Sequence, residues 1–304
     1  MRGFLRQALP FAASVLLLFA LSARAEPVRL VQDGRGLDGE LALAGGKSIK
    51  DGLLILVHGT LAHSRMEIMR ALQQGLAQRD VSTLAITLSL GISDRKGMYD
   101  CAQPHRHSNA QALREIDAWV AWAQQQGAAS IGILGHSRGG AQVAHYAASA
   151  GDRLNPAIKK IVLVAPMTFD LAAAAQDYKA HYGADLNAAL AKAEAMVRAG
   201  KGDELLTDTD FLYCPKAKVA AASFVDYHAT DGRNDAPSQL AGIKRPVLLV
   251  AAGGDEVVRN LPQRLAGVAK TAGFRLVTVD GADHMFQDLY GEDLADAIAS
   301  FWTE

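Results

Sequence analysis

The strongest constraint on this chain is an alternation. Apolar runs of strand length stand at "GLLILVHG", "STLAITLSL", "SIGILGHS", "KKIVLVAP", "RPVLLVAAGG" and "FRLVTVDG", and most stretches between them carry the periodicity of amphipathic helices. Between positions 109 and 126, Leu113, Ile116, Trp119, Val120 and Ala123 form one helical stripe, and Gly127 follows as a stop. Near-continuous apolar strands have no polar face to give to water, so both sides of their sheet must be covered, and interleaved helices supply the two covers. The expected fold class is α/β, a mostly parallel, doubly wound sheet. Ligands of such sheets bind outside the carboxyl ends of the strands.

The alternation fails between positions 167 and 237. There "ADLNAALAKAEAMVRAGKG" puts Leu186, Leu190, Ala193, Met196 and Val197 on one face before Gly200, and polar "DYHATDGRNDAP" leads back to a strand at Pro246. We read this segment as an all-helical cap inserted over the carboxyl ends of the strands. The expected organisation is a signal peptide over 1–25, a core over 26–166, the helical cap over 167–237 and the rest of the core over 238–304.

The leader is read from Arg2 and Arg6 ahead of "LPFAASVLLLFAL", with Ala23 and Ala25 marking cleavage after Ala25. The apolar stretch is shorter than the ~20 residues of a spanning helix, so no stable membrane span is expected once the leader is removed. The mature chain is then extracytoplasmic, periplasmic or secreted, where a disulfide persists. With 31 Lys plus Arg against 32 Asp plus Glu and no basic run, nothing on the chain draws in nucleic acid. The oligomeric state is not legible.

Ser137 stands in Gly135-x-Ser137-x-Gly139, after the strand "SIGIL" and before the helical pattern "AQVAHYAASA". A sharp strand-to-helix turn exposes a hydroxyl at a strained position and needs glycines where side chains would meet backbone. The helix also aims its N-terminus there, favouring negative charge that develops nearby. A serine hydroxyl needs a base, and the base needs an orienting carboxylate. Asp255 follows the strand "VLLVAAGG" and His284 follows "RLVTVDGAD", so both turns open on the face where Ser137 emerges, in the order Ser, Asp, His. Asp280 and Asp283 are the alternative acids.

Among the other histidines, His136 is expected to pack beside the serine. His105 and His107 form an H-x-H pair without the carboxylates of a metal site, read as part of a polar loop, and no metal is expected. His145, His181 and His228 have no identifiable partners. For the oxyanion, one donor is the N–H of Arg138; the other comes from the loop His58, Gly59, Thr60, Leu61, with Thr60 preferred and Leu61 second.

These segments together resemble the α/β-hydrolases over nearly the whole mature chain. "LVHGT" resembles that family's His-Gly oxyanion loop, "LSLGISD" the stretch leading to its Gly-x-Ser-Asp segment, "GHSRGG" its nucleophile elbow, "AAGGDEVV" its acid turn and "GADHMF" its histidine loop. Two stretches depart from the pattern, since "AAGGD" lacks the usual His-Gly and "YDCAQPHRHS" has no counterpart. The resemblance, with serine in the elbow, implies a hydrolase of small-molecule acyl esters or thioesters that needs no cofactor. An acyltransferase, or a non-catalytic extracytoplasmic binding protein on the same scaffold, are the alternatives. The two cysteines, Cys101 after "STLAITLSL" and Cys214 late in the cap segment, lie on the same side of the sheet and are expected to pair, tying core to cap.

Overall fold

In the computed structural model, the described residues are 25–259, 261–268 and 273–304. Most of the expected leader lies outside them. The chain opens with an antiparallel hairpin, β1 (Glu26–Gln32) and β2 (Arg35–Ala42), closed by the two-residue loop Asp33-Gly34. Both loop residues have positive φ, 49° and 75°, the conformation that matches strand twist in a tight hairpin. Then come β3 (Leu53–Val57), α1 (Glu67–Ala77), β4 (Thr83–Ile86), α2 (Asn109–Gln125), β5 (Ile131–His136), α3 (Arg138–Ala150) and β6 (Ile158–Val164). An insertion follows, with α4 (Leu171–Tyr182), α5 (Leu186–Arg198), β7 (Leu205–Phe211), β8 (Cys214–Ala220), α6 (Ala221–Tyr227) and α7 (Ala236–Gln239). The chain finishes with β9 (Val247–Ala252), α8 (Leu261–Val268), β10 (Arg275–Val279) and α9 (Tyr290–Thr303).

Eight of these strands form one sheet in the order β1-β2-β4-β3-β5-β6-β9-β10, antiparallel at the β1–β2–β4 edge and parallel from β4 onward. The six apolar runs account for the parallel part. Strands β3, β4, β5 and β9 are buried at every position, as a sheet covered on both faces requires. One face packs Ile116, Trp119 and Val120 of α2 against Val143 and Ala147 of α3. The other packs Met69, Leu72 and Leu76 of α1 against Ile298 and Phe301 of α9.

The insertion is not all-helical, contrary to expectation. Strands β7 and β8 pair as an antiparallel hairpin around the loop Leu212-Tyr213, whose φ values are 48° and 69°. Neither loop residue is the glycine or asparagine that such a turn favours. The hairpin was therefore illegible, and its polar run "TDTD" offers no apolar alternation. The insertion has its own core, with Leu186, Leu190, Phe211, Val219, Phe224 and Tyr227 buried together.

The loop 99–108 attaches this insertion to the sheet. The backbone N–H of His105 donates to Lys218 O (2.8 Å) and Ala220 N–H donates back to His105 O (2.9 Å), adding a short bridge beside β8. Cys101 and Cys214 are joined in a disulfide with a Cα–Cα distance of 5.4 Å. His105 and His107 do not sit in a polar loop. Both are fully buried at the seam, His105 Nδ1 stands 3.1 Å from His107 Nε2, and His107 Nδ1 stands 2.7 Å from the Tyr227 hydroxyl. At the end of the same loop, Asp226 of α6 accepts hydrogen bonds from Asn109 N (2.6 Å) and Asn109 Nδ2 (3.0 Å).

The bridge closes 113 residues, and the chain-entropy model gives a loop of this order up to ~4.7 kcal/mol. The variant Cys101→Ala/Cys214→Ala is expected to lose roughly 2–4 kcal/mol in urea unfolding. An unchanged midpoint in that variant rules out a stabilising bridge.

Candidate active site

Ser137 occupies the one residue between β5 and α3, with φ 55° and ψ −122°. A non-glycine residue with positive φ is strained, and it persists here because the surroundings hold its backbone. Ser137 N–H donates to Val164 O (3.0 Å), and its carbonyl accepts from Gly140 N (2.9 Å) and Met167 N (2.9 Å). The flanking glycines are required by contact. A Cβ on Gly135 would lie 2.3 Å from Gly139 O, and one on Gly139 would lie 2.4 Å from His58 O. Gly59 is as tightly placed, since a Cβ there would come within 3.2 Å of Ser137 Cβ and 3.6 Å of Ser137 Oγ. The loop after β3 therefore packs directly on the serine.

The turns after β9 and β10 are locked to one another. Gly253 N–H donates to Val279 O (2.9 Å) and Gly254 N–H to Ala282 O (2.8 Å). This brings Asp255 to His284, with His284 Nδ1 at 2.8 Å from Asp255 Oδ2. The other carboxylate oxygen, Oδ1, accepts from Val257 N and Val258 N, both at 2.8 Å. Burial raises the Asp255 pKa, but the hydrogen bonds from His284, Val258 and Val257 outweigh it and hold the carboxyl below its ordinary value. The alternative acid Asp283 instead accepts from Met285 N (3.1 Å) and Gln287 N (3.2 Å), shaping the histidine loop without reaching the ring. His136 is buried, and its Nε2 donates to the His284 carbonyl at 2.9 Å, so it steadies that loop as well as packing.

Ser137 and His284 line one cavity of about 170 Å³, together with Gly59, Thr60, Met66, Met69, Met98 and Met285. No hydrogen bond among the described residues joins Ser137 Oγ to the imidazole. The N–H groups of Thr60 and Leu61 donate to no described protein group. The Arg138 N–H opens α3, where the helix itself supplies no acceptor. Thr60 lines the cavity; Leu61, with φ 56°, does not. Among the described residues, no group of three or more His, Cys, Asp or Glu is arranged to hold a metal ion.

A model of the alpha/beta hydrolase family matches residues 54–297. The chain belongs to the alpha/beta hydrolase family. The solved structure of Est1E from Butyrivibrio proteoclasticus with ferulic acid bound is similar over 91% of this chain and 98% of that chain, at 22% identity and TM-score 0.64. An alpha-beta serine hydrolase homologue from Coxiella burnetii is similar over 91% and 96% of the two chains, at 15% identity and TM-score 0.56. The thioesterase domain from the curacin biosynthetic pathway is similar over 92% and 99%, at 17% identity and TM-score 0.55. At these identities the likeness is one of fold. No curated protein matches the chain.

Sequence reasoning passed over one residue that shapes this site. Arg95 is buried behind the loop after β3, where its guanidinium donates to Leu88 O (2.6 Å), Ala62 O (2.7 Å) and Gly97 O (2.6 Å). It thereby ties the loop that follows β4 to the loop that packs on Ser137. The His58 ring completes the tie, with Nε2 accepting from Leu88 N (3.1 Å) and Nδ1 donating to Gly59 O (2.8 Å). Burial, then the nearby Arg95 charge, push the His58 pKa down to about 3, so the ring stays neutral and can accept. The signal was an arginine in "GISDRKG", which nothing local distinguishes from a surface charge.

Proposed function

We propose that this chain is a serine hydrolase acting on an ester-type bond, carboxylic ester or thioester, through an acyl-enzyme. Ser137 Oγ attacks the carbonyl carbon while His284 takes its proton, and Asp255 holds the imidazole in the required tautomer and stabilises the imidazolium. The N–H groups of Arg138 and Thr60 receive the oxyanion. His284 returns the proton to the leaving oxygen or sulfur; water then attacks the acyl-Ser137 ester with His284 as base, releasing the acid and restoring the serine.

The observation that carries this reading is the convergence on one cavity of a positive-φ serine and an imidazole already bound to a buried carboxylate. A binding module has no use for a strained serine, whereas an accessible nucleophile does. Similar folds include an esterase domain and a thioesterase domain, which supports the bond class. The disulfide supports an exported protein.

A fluorophosphonate probe is expected to label the wild-type protein at Ser137, with labelling abolished in Ser137→Ala. Equal labelling of the variant moves the nucleophile elsewhere. No labelling of the wild type favours the binding-protein alternative.

A further inference from the structure

Two arginines stand behind the residues that line this cavity, Arg95 behind His58 and Arg138 behind Thr60, and their surroundings differ. Arg95 spends its donors on backbone carbonyls. Arg138 has a single protein hydrogen bond, from Nε to Thr60 Oγ1 at 3.1 Å, and its guanidinium carbon lies 4.9 Å from the centre of the Tyr227 ring. Its Nη1 is buried and has no acceptor among the described residues. Among the described residues no carboxylate forms an ion pair with it. The carboxylate whose charge it feels, Asp226, is already committed to Asn109 and to Arg233, whose Nη1 lies at 2.7 Å. The nearby rings of His107 and His228, which burial keeps neutral, supply no counter-charge either.

A largely buried guanidinium without a counter-ion is expensive, and an unpaired buried donor adds to the cost. Thr60 and Tyr227 fix the guanidinium in place, and the residue as a whole is only partly buried. Thr60 lines the catalytic cavity, and Arg138 follows Ser137 directly. We infer that the Arg138 side chain is a recognition group for a carboxylate carried by the substrate close to its scissile carbonyl, so that the preferred substrates are anionic esters. The inference rests on the serine-hydrolase reading of the same cavity. A planar fork suits a carboxylate, which would supply the missing counter-ion and acceptor together. The competing account makes Arg138 only a clamp between the sheet and the insertion, through Tyr227.

Two ester pairs separate these accounts. The first compares the mono-p-nitrophenyl ester of glutaric acid with p-nitrophenyl pentanoate, placing the charge in the acyl half. The second compares 4-acetoxybenzoate with its methyl ester, placing it in the alcohol half. In at least one pair the wild type is expected to favour the charged ester in kcat/KM by about 30-fold, equivalent to about 2 kcal/mol. That ratio is expected to collapse toward one in Arg138→Leu and to survive in part in Arg138→Lys. Wild-type protein that labels with fluorophosphonate yet shows no charge preference in either pair overturns the inference and leaves the hydrolase reading standing. Protein that does not label loses both. An Arg138→Leu variant that slows both esters of a pair by the same factor also overturns it, in favour of the clamp. If Arg138→Leu does not fold, the wild-type ratios and the Lys variant decide the question.

Discussion

Asp255→Asn is expected to fold normally and to lose about 10⁴-fold in kcat, while His284→Ala and Ser137→Ala each lose on the order of 10⁶-fold. The inequality follows from the geometry. In the proposed mechanism Ser137 and His284 exchange the proton with the reacting centre, so removing either would disable the covalent route. Asp255 touches no reacting atom. Its Oδ1 is fixed by the backbone of Val257 and Val258, and its Oδ2 faces His284 Nδ1, so it determines which nitrogen carries the proton. An asparagine keeps the volume and can keep one acceptor. If its amide turns toward the ring, it donates to Nδ1 and places the imidazole proton on Nε2, where a base is needed. The variant should therefore show a lower kcat with little change in KM, and its activity should not return with moderate changes of pH. Circular dichroism and a urea midpoint establish that the fold is kept. Near-normal turnover in Asp255→Asn removes Asp255 from the orienting role, which Asp283 cannot take without giving up Met285 and Gln287. Asp280 would then be the remaining acid to test.

The features legible in the sequence were those written locally. Six apolar runs specify strands because a strand buried on both faces tolerates little else, and Ser137, Asp255 and His284 could be placed because each follows such a run at once. The Asp33-Gly34 pair between "VRLVQ" and "RGLDGELAL" carried a readable hairpin signal that our reading did not use. The β7–β8 hairpin carried none, because Leu212 and Tyr213 take positive φ without glycine. The seam was hidden for a different reason. Whether His105 and His107 are solvated or buried depends on β8 and Tyr227, more than one hundred residues away in the chain, and a polar residue type says nothing about a distant cover. Arg95 was missed on the same grounds, since its acceptors are carbonyls that any residue presents.

Those hidden groups predict how the protein responds to acid. His58, His105, His107 and His136 are all buried, and burial lowers their pKa values, to about 3 for His58, about 4 for His105 and His136, and well below the ordinary value for His107. In the unfolded chain each titrates near ~6.5. Between the folded and unfolded values the unfolded state binds more protons, so stability rises with pH there and falls as acid is added. The contribution is complete above the unfolded pKa and is lost progressively as pH drops toward the folded values. A histidine held neutral across that window loses ~1.4 kcal/mol of its contribution per pH unit. The four groups are all shifted in the same direction, so their effects on stability have the same sign. The urea midpoint of the disulfide-intact protein is therefore expected to fall steeply between pH 7 and pH 5, above the range in which Asp255, with its lowered pKa, gains a proton. His107→Gln, which keeps a neutral polar group against Tyr227, should flatten that slope by about one histidine's share. A midpoint that stays constant down to pH 5 means these rings are not held neutral in the folded protein. Protonation at His58 would also remove the acceptor of Leu88 N–H and set two cations, His58 and Arg95, side by side behind the loop that packs on Ser137.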